Sequence, residues 1–228
     1  MTVSRNQQAV GWGLVAALAV LVGIGLWKTS GRKGRDRVAV VRRCRGVMGT
    51  DSSLLAVVPV GQGDRAEQCL REAEARLHSV EAHMSNWIAG TEISTLNSAA
   101  AGQVVRLSPQ SVEVLRAARD AHAETNGAFD VTCRPLVELW RAAAKCGRVP
   151  DEAELAAARD ASCWEWIELT DDGAVKRRAT VRVDLGGIAK GYAVDRAAAA
   201  IRARGSSGGM VDVGGDLVCF GRPVSGEK

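Results

Sequence analysis

The longest apolar stretch of the chain lies near its amino terminus. Residues 9–27, AVGWGLVAALAVLVGIGLW, carry no charged side chain. At about 1.5 Å per residue a helix of this length spans the hydrocarbon core of a bilayer, and Trp12 and Trp27 stand near its ends, as interfacial anchors do. We therefore expect one transmembrane helix. A cleaved signal peptide is the alternative, but the run is longer than a typical signal core and no clean small-x-small cleavage site follows it.

The next segments show the periods of a strand and then of a helix. Residues 53–58 predict a strand that Pro59 ends, and Asp64 is a fair cap for the helix that follows. Apolar residues of this helix recur at alternating steps of three and four, which predicts a buried face. The face consists of Leu70, Ala73, Leu77, Val80, Met84 and Trp87.

Capping residues divide the middle of the chain. Thr91 is a plausible cap for a short helix, and Ser108, followed by a proline, opens the next helix. Asn126-Gly127 stops that helix in the way that a left-handed C-terminal residue does. The sequence AFDVTCRPL, residues 128–136, then predicts a short extended piece.

Strands dominate the last third. After a helical, alanine-rich segment over 151–160, the predicted strands are WEWIEL, AVKRRA and VRVDL, residues 164–169, 174–179 and 181–185. A helix from Ile188 to Arg204 follows, and then two strands on either side of Gly214-Gly215. Because strands and helices mix without strict alternation, we expect one α+β domain with a mixed sheet.

Composition and charge sharpen the domain boundaries. The 228 residues are 46% hydrophobic and 25% charged, which fits one globular domain. The net charge of +4 comes from basic residues just after the apolar stretch. No aromatics interleave with them, so we expect a membrane-flanking segment and no nucleic-acid partner. The predicted divisions are a tail (1–8), a membrane anchor (9–27), a basic linker (28–37) and the folded domain (38–228).

Six cysteines are scattered without a C-x-x-C pair. This spacing suggests neither a zinc site nor a disulfide framework. We expect most of them to be small core residues.

The segment VDLGGIAKGYAVD, residues 183–195, offers the clearest chemistry. A strand that ends at Asp184, turns on two glycines and enters a helix with Lys190 in its first turn would present backbone N–H groups, a helix dipole and a mobile cation to one point. A phosphate would be stabilised there. The spacing matches neither a P-loop nor a dinucleotide fingerprint, so a plain strand-to-helix connection with a solvated lysine stays open.

Five islands in a fixed order extend this observation. MGT at 48–50, MSNWIAGTEISTLN at 84–97 and GAFDVTCRPLVELW at 127–140 precede DLGGIAKGYAVD at 184–195 and DVGGD at 212–216. Together they resemble the ApbE family of FAD:protein FMN transferases, in register from about Val47 to Gly221.

The resemblance implies a reaction and a set of site residues. Such enzymes use FAD as a substrate and, with Mg²⁺, move FMN onto a Thr or Ser hydroxyl of an acceptor protein while AMP leaves. Main-chain oxygen from Gly187 would bind Mg²⁺, and the histidines and the catalytic base receive no assignment. The residues that would contact FAD are Met48, Trp87, Ala128, Phe129, Asp130, Asp184 and Lys190.

The resemblance also leaves alternatives open. Members of the family continue past the GGD strands into a segment that supplies side-chain Mg²⁺ ligands, whereas this sequence stops at Lys228. It could be a fragment of a longer enzyme, a non-catalytic FAD-binding module or an inactive remnant. Glu92, Ser94 and Asn97 are typical of the family and equally suited to caps and turn bonds.

Localisation draws on two opposing expectations. Basic residues after the apolar stretch would hold the domain in the cytoplasm by the positive-inside rule. The resemblance favours the periplasmic side of a bacterial inner membrane, with flavoprotein subunits of membrane redox complexes as acceptors. Since long domains translocate largely regardless of charge, we favour the periplasmic side.

Overall fold

The computed structural model describes residues 36–224, which form an α+β fold. The predicted membrane anchor lies outside this range, and no helix within the range is long and apolar enough to cross a membrane. The strands are β1 (Arg37–Val47), β2 (Thr50–Pro59), β3 (Val104–Arg106), β4 (Ile167–Leu169), β5 (Gly173–Lys176), β6 (Gly208–Val213) and β7 (Asp216–Gly221). The helices are α1 (Gly63–Met84), α2 (Glu92–Ser98), α3 (Pro109–Glu124), α4 (Arg134–Lys145), α5 (Glu152–Asp160) and α6 (Ala189–Ala203).

Two antiparallel sheets replace the single mixed sheet that the sequence predicted. The larger sheet has the order β1-β2-β6-β7 and the smaller one β3-β5-β4. Helices α1 and α6 pack against each other and against the larger sheet. The apolar faces of these elements form one continuous core, whose members include Leu54, Leu70, Ala197, Ile201 and Val211.

Strand β1 was not predicted, although β2 contains all of the predicted strand over 53–58. The two strands pair from Arg37 with Pro59 to Val47 with Thr50. Three arginines in the second half of β1 interrupt the alternation of apolar and polar residues that would indicate a strand. Of these, Arg42 lies on the side of α1, where its Nε donates to Glu74 Oε2 at 2.6 Å.

Helix α1 corrects two expectations. Its cap position is Gln62, with no side-chain capping bond, and Asp64 lies inside the first turn, where a carboxylate interacts favourably with the helix dipole. Met84 is buried as predicted. The helix ends there, because Ser85 is extended with ψ 128°, so Trp87 leaves the helical period and is 60% exposed.

The predicted strand over 181–185 is also absent from the described sheets. Arg182 makes one isolated parallel bridge to Cys133, and the amide side chain of Asn97 takes the place of a neighbouring strand. Asn97 Nδ2 donates to the Val183 carbonyl at 2.8 Å, and Val183 N donates to Asn97 Oδ1 at 2.6 Å. One side chain thus satisfies both backbone groups of a fully buried residue.

Asn97 is itself held by a buried lysine. Lys176 on β5 is fully buried, and its Nζ donates to the main-chain carbonyls of Asn97 at 2.7 Å and Ala179 at 3.3 Å. Burial, reinforced by Arg182, lowers the pKa of Lys176 below its usual 10.5. The small sheet is therefore connected through Asn97 to the segment that precedes the glycine turn.

Several local predictions are confirmed, and two need correction. The caps Thr91 and Ser108 both accept backbone hydrogen bonds, and α3 ends before Asn126, whose φ is 51°. The segment 128–136 is turn and helix instead of an extended piece, since Pro135 lies in the first turn of α4. The segment WEWIEL begins as a 3-10 turn at 164–166 before β4.

The cysteines divide between core and surface. Cys44 and Cys69 are buried, as small core residues should be, whereas Cys146 and Cys219 are exposed. Cys146 terminates α4 and Cys219 lies on the edge strand β7. The expectation that most of the cysteines lie in the core is therefore only partly met.

Candidate functional site

The glycine turn is a rigid loop that leads into α6. Asp184 N donates to the Val131 carbonyl at 2.7 Å, and Asp184 Oδ1 accepts from Gly186 N at 2.9 Å. The next turn begins when Ala189 N donates to the Leu185 carbonyl at 2.8 Å. Lys190 therefore lies in the first turn of a fifteen-residue helix, as predicted. This arrangement brings a cation to the positive end of the helix dipole, while the N–H groups of Gly186, Ile188 and Ala189 are already bonded within the turn.

The two glycines of this turn lie close to neighbouring side chains. Neither has a positive φ. A Cβ on Gly186 would lie 3.0 Å from Asp184 Oδ1, and a Cβ on Gly187 would lie 3.2 Å from Cε2 of Phe129. Close packing of these neighbours therefore favours glycine at both positions, independently of any ligand.

A cleft of about 510 Å³ opens beside the turn. It brings together four of the predicted FAD contacts, Met48, Trp87, Asp184 and Lys190. Met48 comes from the β1–β2 turn, where its φ of 53° places it in the left-handed region. Three distant segments thus converge on one volume of the size that small-molecule sites have.

The other predicted contacts lie behind the cleft. Ala128, Phe129 and Asp130 are absent from its lining, although the Phe129 ring lies directly against Gly187. Asp130 Oδ1 closes a turn by accepting from Thr132 N and Thr132 Oγ1, both at 2.7 Å. Their contact with FAD stays a prediction.

His122 contacts the loop that contains Phe129 and Asp130. Its Nδ1 lies 3.1 Å from the Phe129 carbonyl, which accepts its hydrogen, and 3.7 Å from Asp130 Oδ2. The sequence assigned this histidine no role. Only proximity in the fold, at the end of α3, connects it to the turn.

The family-typical polar residues before the cleft make structural bonds. Glu92 Oε2 accepts from both N and Oγ of Ser108, at 2.9 Å each, and so joins α2 to the start of α3. Ser94 N donates to the cap Thr91. Together with the Asn97 bonds, these contacts favour the structural interpretation of the three residues.

Sequence reasoning missed two arginines of α4. The Cζ atoms of Arg134 and Arg141 lie 4.8 Å and 4.3 Å from the centre of the Trp87 ring. Arg134 Nη1 also lies 3.8 Å from Asp184 Oδ2. Nothing in the helical pattern of α4 singles these side chains out, because surface arginines are common on any exposed helix.

A cysteine close to the turn is poorly suited to act as a nucleophile. Cys133 precedes α4, and burial, followed by the negative charges of Asp184 and Asp130, raises the pKa of its thiol. Since the thiolate is the reactive form, this position does not suit covalent catalysis.

Residues 36–224 do not supply a complete set of side-chain ligands for a metal ion. No group of three His, Cys, Asp or Glu side chains there could hold a metal ion. Near Gly187 the neighbouring carboxylate, Asp184, already accepts from Gly186 N and faces Arg134. Magnesium usually needs carboxylates and water in an octahedron, so these residues alone do not fit it.

The fold and the cleft define the class of protein. The model of the ApbE family matches residues 48–228. The chain belongs to the ApbE family.

Individual relatives agree with this assignment. The chain is 30% identical over 172 residues to the FAD:protein FMN transferase of Vibrio cholerae serotype O1. The aligned region covers 75% of this chain and 51% of that protein. The chain is also 30% identical over 172 residues to the enzyme of that name from Haemophilus influenzae, with 71% and 49% covered. The chain thus spans about half the length of these relatives.

Solved structures share the fold. Flavin transferase ApbE from Vibrio cholerae superposes with a TM-score of 0.73 at 28% identity, over 83% of this chain and 61% of that one. The apo flavinyl transferase ApbE of Pseudomonas stutzeri gives 0.70 at 27% identity, over 82% and 59%. These comparisons support the predicted α+β architecture.

Proposed function

We propose that this chain binds FAD and acts as, or within, an FAD:protein FMN transferase. The observation that carries the proposal is the cleft in which Lys190, at the start of α6, faces Met48 and Trp87. Apolar side chains opposite a cation at a helix N-terminus suit a ligand that joins an aromatic ring to a pyrophosphate. The names of the relatives support the same ligand.

The proposed reaction is a displacement at phosphorus. The oxygen of a Thr or Ser hydroxyl of the acceptor forms a bond to the FMN phosphorus of FAD, and the bond from that phosphorus to the bridging oxygen breaks. AMP leaves with the bridging oxygen, and the hydroxyl proton passes to a base that we do not assign. Such transfers depend mainly on positioning and charge neutralisation, which Lys190 and the turn would contribute at the pyrophosphate.

Magnesium is part of the proposal only as an additional requirement. When bound, it would neutralise charge on the phosphates, and the main-chain carbonyl of Gly187 would be one of its ligands. No step assigned to the residues above depends on the metal.

The test uses the full chain with FAD and an acceptor domain that carries a Thr or Ser target. Mass spectrometry of the acceptor is expected to show a gain equal to FMN when Mg²⁺ is supplied, and a parallel reaction in EDTA tests the additional magnesium requirement. FAD that binds without any such gain would contradict transfer by this chain and favour a FAD-binding module. Absence of both binding and transfer would leave the inactive remnant.

Acceptor and location are proposals of the same kind. We propose that residues 9–27 anchor the chain in a bacterial inner membrane, with the domain on the periplasmic side and flavoprotein subunits of membrane redox complexes as acceptors. An alkaline phosphatase fused to the C-terminus should be active in cells. An inactive fusion that is nevertheless expressed and folded would overturn the periplasmic assignment.

A further inference from the structure

The exposed indole of Trp87 is held by two guanidinium groups from one helix. Arg134 and Arg141 are seven residues, or about two turns, apart on α4, so their side chains leave the same face. Both Cζ atoms lie within the roughly 6 Å at which cations interact with aromatic rings. Because Trp87 is still 60% exposed, much of the ring surface remains available to a ligand.

The two arginines have different surroundings. The Arg134 side chain is only 13% exposed, its Nε is 2.9 Å from Glu138 Oε1, and its buried Nη1 has no hydrogen-bond partner in the described range. Arg141 is exposed, lines the cleft, and forms no ion pair with any carboxylate of residues 36–224. Arg134 is thus placed to hold Trp87 and Asp184, and Arg141 to meet a ligand.

The charges in the cleft make Arg141 important for an anionic ligand. The lining holds two carboxylates, from Glu81 and Asp184, and two cations, from Arg141 and Lys190. With Lys190 alone the lining would carry a net negative charge and oppose a pyrophosphate. A guanidinium also suits this place better than an ammonium, because its plane stacks on an indole while its N–H groups donate to phosphate oxygens.

We propose that Arg134 and Arg141 adapt this cleft to a pyrophosphate ligand. Arg134 is a positioning residue that orients Trp87 and Asp184, and Arg141 contacts the pyrophosphate directly. The inference rests on the proposed function, in that FAD supplies the pyrophosphate. It adds a specific role for α4, which otherwise only borders the site.

Titration calorimetry of the full chain with FAD and with inorganic pyrophosphate tests the pair. Arg141→Gln is expected to raise the Kd for both ligands roughly tenfold, which is about 1.4 kcal/mol for a lost charged contact. Arg134→Gln and Trp87→Ala should weaken FAD binding more than they weaken pyrophosphate binding, because both act through the aromatic ring. Arg148→Gln, which removes an exposed partner of Glu154 just after α4, is the matched control and should change neither.

A double-mutant cycle separates positioning from general damage. If Arg134 acts through Trp87, the effects of Arg134→Gln and Trp87→Ala on FAD binding will be far from additive, and Arg134→Lys will restore only part of the affinity. Fully additive effects would overturn the positioning role, and parental affinities in Arg141→Gln would overturn the contact. Pyrophosphate binding without FAD binding in the parent would refute the proposed function while still testing Arg141; binding of neither ligand would refute both.

Discussion

The two walls of the cleft are stabilised in different ways. The turn from Asp184 to Gly187 and the start of α6 is fixed by backbone hydrogen bonds and close packing, and Asp184 itself belongs to that network. The opposite wall depends on Trp87, a mostly exposed ring that side chains of α4 hold in place. Backbone hydrogen bonds depend little on the identity of single side chains, whereas the aromatic wall can be removed one side chain at a time.

The largest effect on stability should come from removing the side chain that supports the wall formed by the glycine turn and the start of α6. Asn97→Ala leaves both backbone groups of the buried Val183 without their partners, and it should lower the free energy of unfolding by about 2–3 kcal/mol. Urea denaturation measures this change. Ser98→Ala, an exposed neighbour on the same helix, should stay within roughly 0.5 kcal/mol of the parent. Equal stabilities of Asn97→Ala and the parent would show that the turn does not need this support.

A smaller effect is expected when the polar groups of this wall are removed singly. Lys190→Ala should raise the Kd for FAD by about tenfold, or about 1.4 kcal/mol, since it removes a cation from the pyrophosphate. Asp184→Ala should also raise this Kd, because the glycine turn loses the side chain that holds it in place. Asp184→Ala also removes the acceptor of Gly186 N, so its thermal midpoint should fall as well. Fluorescence titration with FAD gives both affinities, and Lys145→Ala on the exposed side of α4 is the control. Unchanged affinities in both variants would contradict the prediction that Lys190 and Asp184 contact FAD.

The smallest effect concerns the pH dependence of the lysine behind Asn97. Because burial lowers the pKa of Lys176 in the folded state, the unfolded chain binds more protons between that lowered pKa and 10.5. The free energy of unfolding should therefore gain a contribution from Lys176 as pH rises through this window. Urea denaturation at neutral pH and just below pH 10.5 should show the gain, and Lys176→Met should lack it. A gain of equal size in the variant would assign the dependence to another group.

The same contrast explains how much of the site the sequence predicts. Local rules locate α6, the caps Thr91 and Ser108, and the strands on either side of Gly214-Gly215, because each depends on neighbours within a few residues. The position of Lys190 in the first turn of α6 was predicted correctly for that reason. The glycine turn was expected to follow a strand, and it does not, since a distant amide replaces the strand partner.

The aromatic wall could not be predicted to the same degree. The apolar period of α1 continues past Met84 to Trp87. No glycine or proline between these two residues indicates that the helix ends at Met84. The contact of Trp87 with Arg134 and Arg141 depends on how α4 lies against the loop after α1. Such tertiary proximity leaves no mark in the spacing of either segment.

The side-chain pairing of Asn97 with Val183 has a consequence for amide hydrogen exchange. Val183 N–H should be protected from exchange, although its segment belongs to no described sheet, and this protection depends on the conformation of the Asn97 side chain. A rotation of that side chain would expose the amide while every sheet remained intact. The Val183 amide would then exchange through a local opening, at a lower free energy than the amides of β2 or β6. Its exchange rate would report how often the glycine-turn side of the cleft loosens.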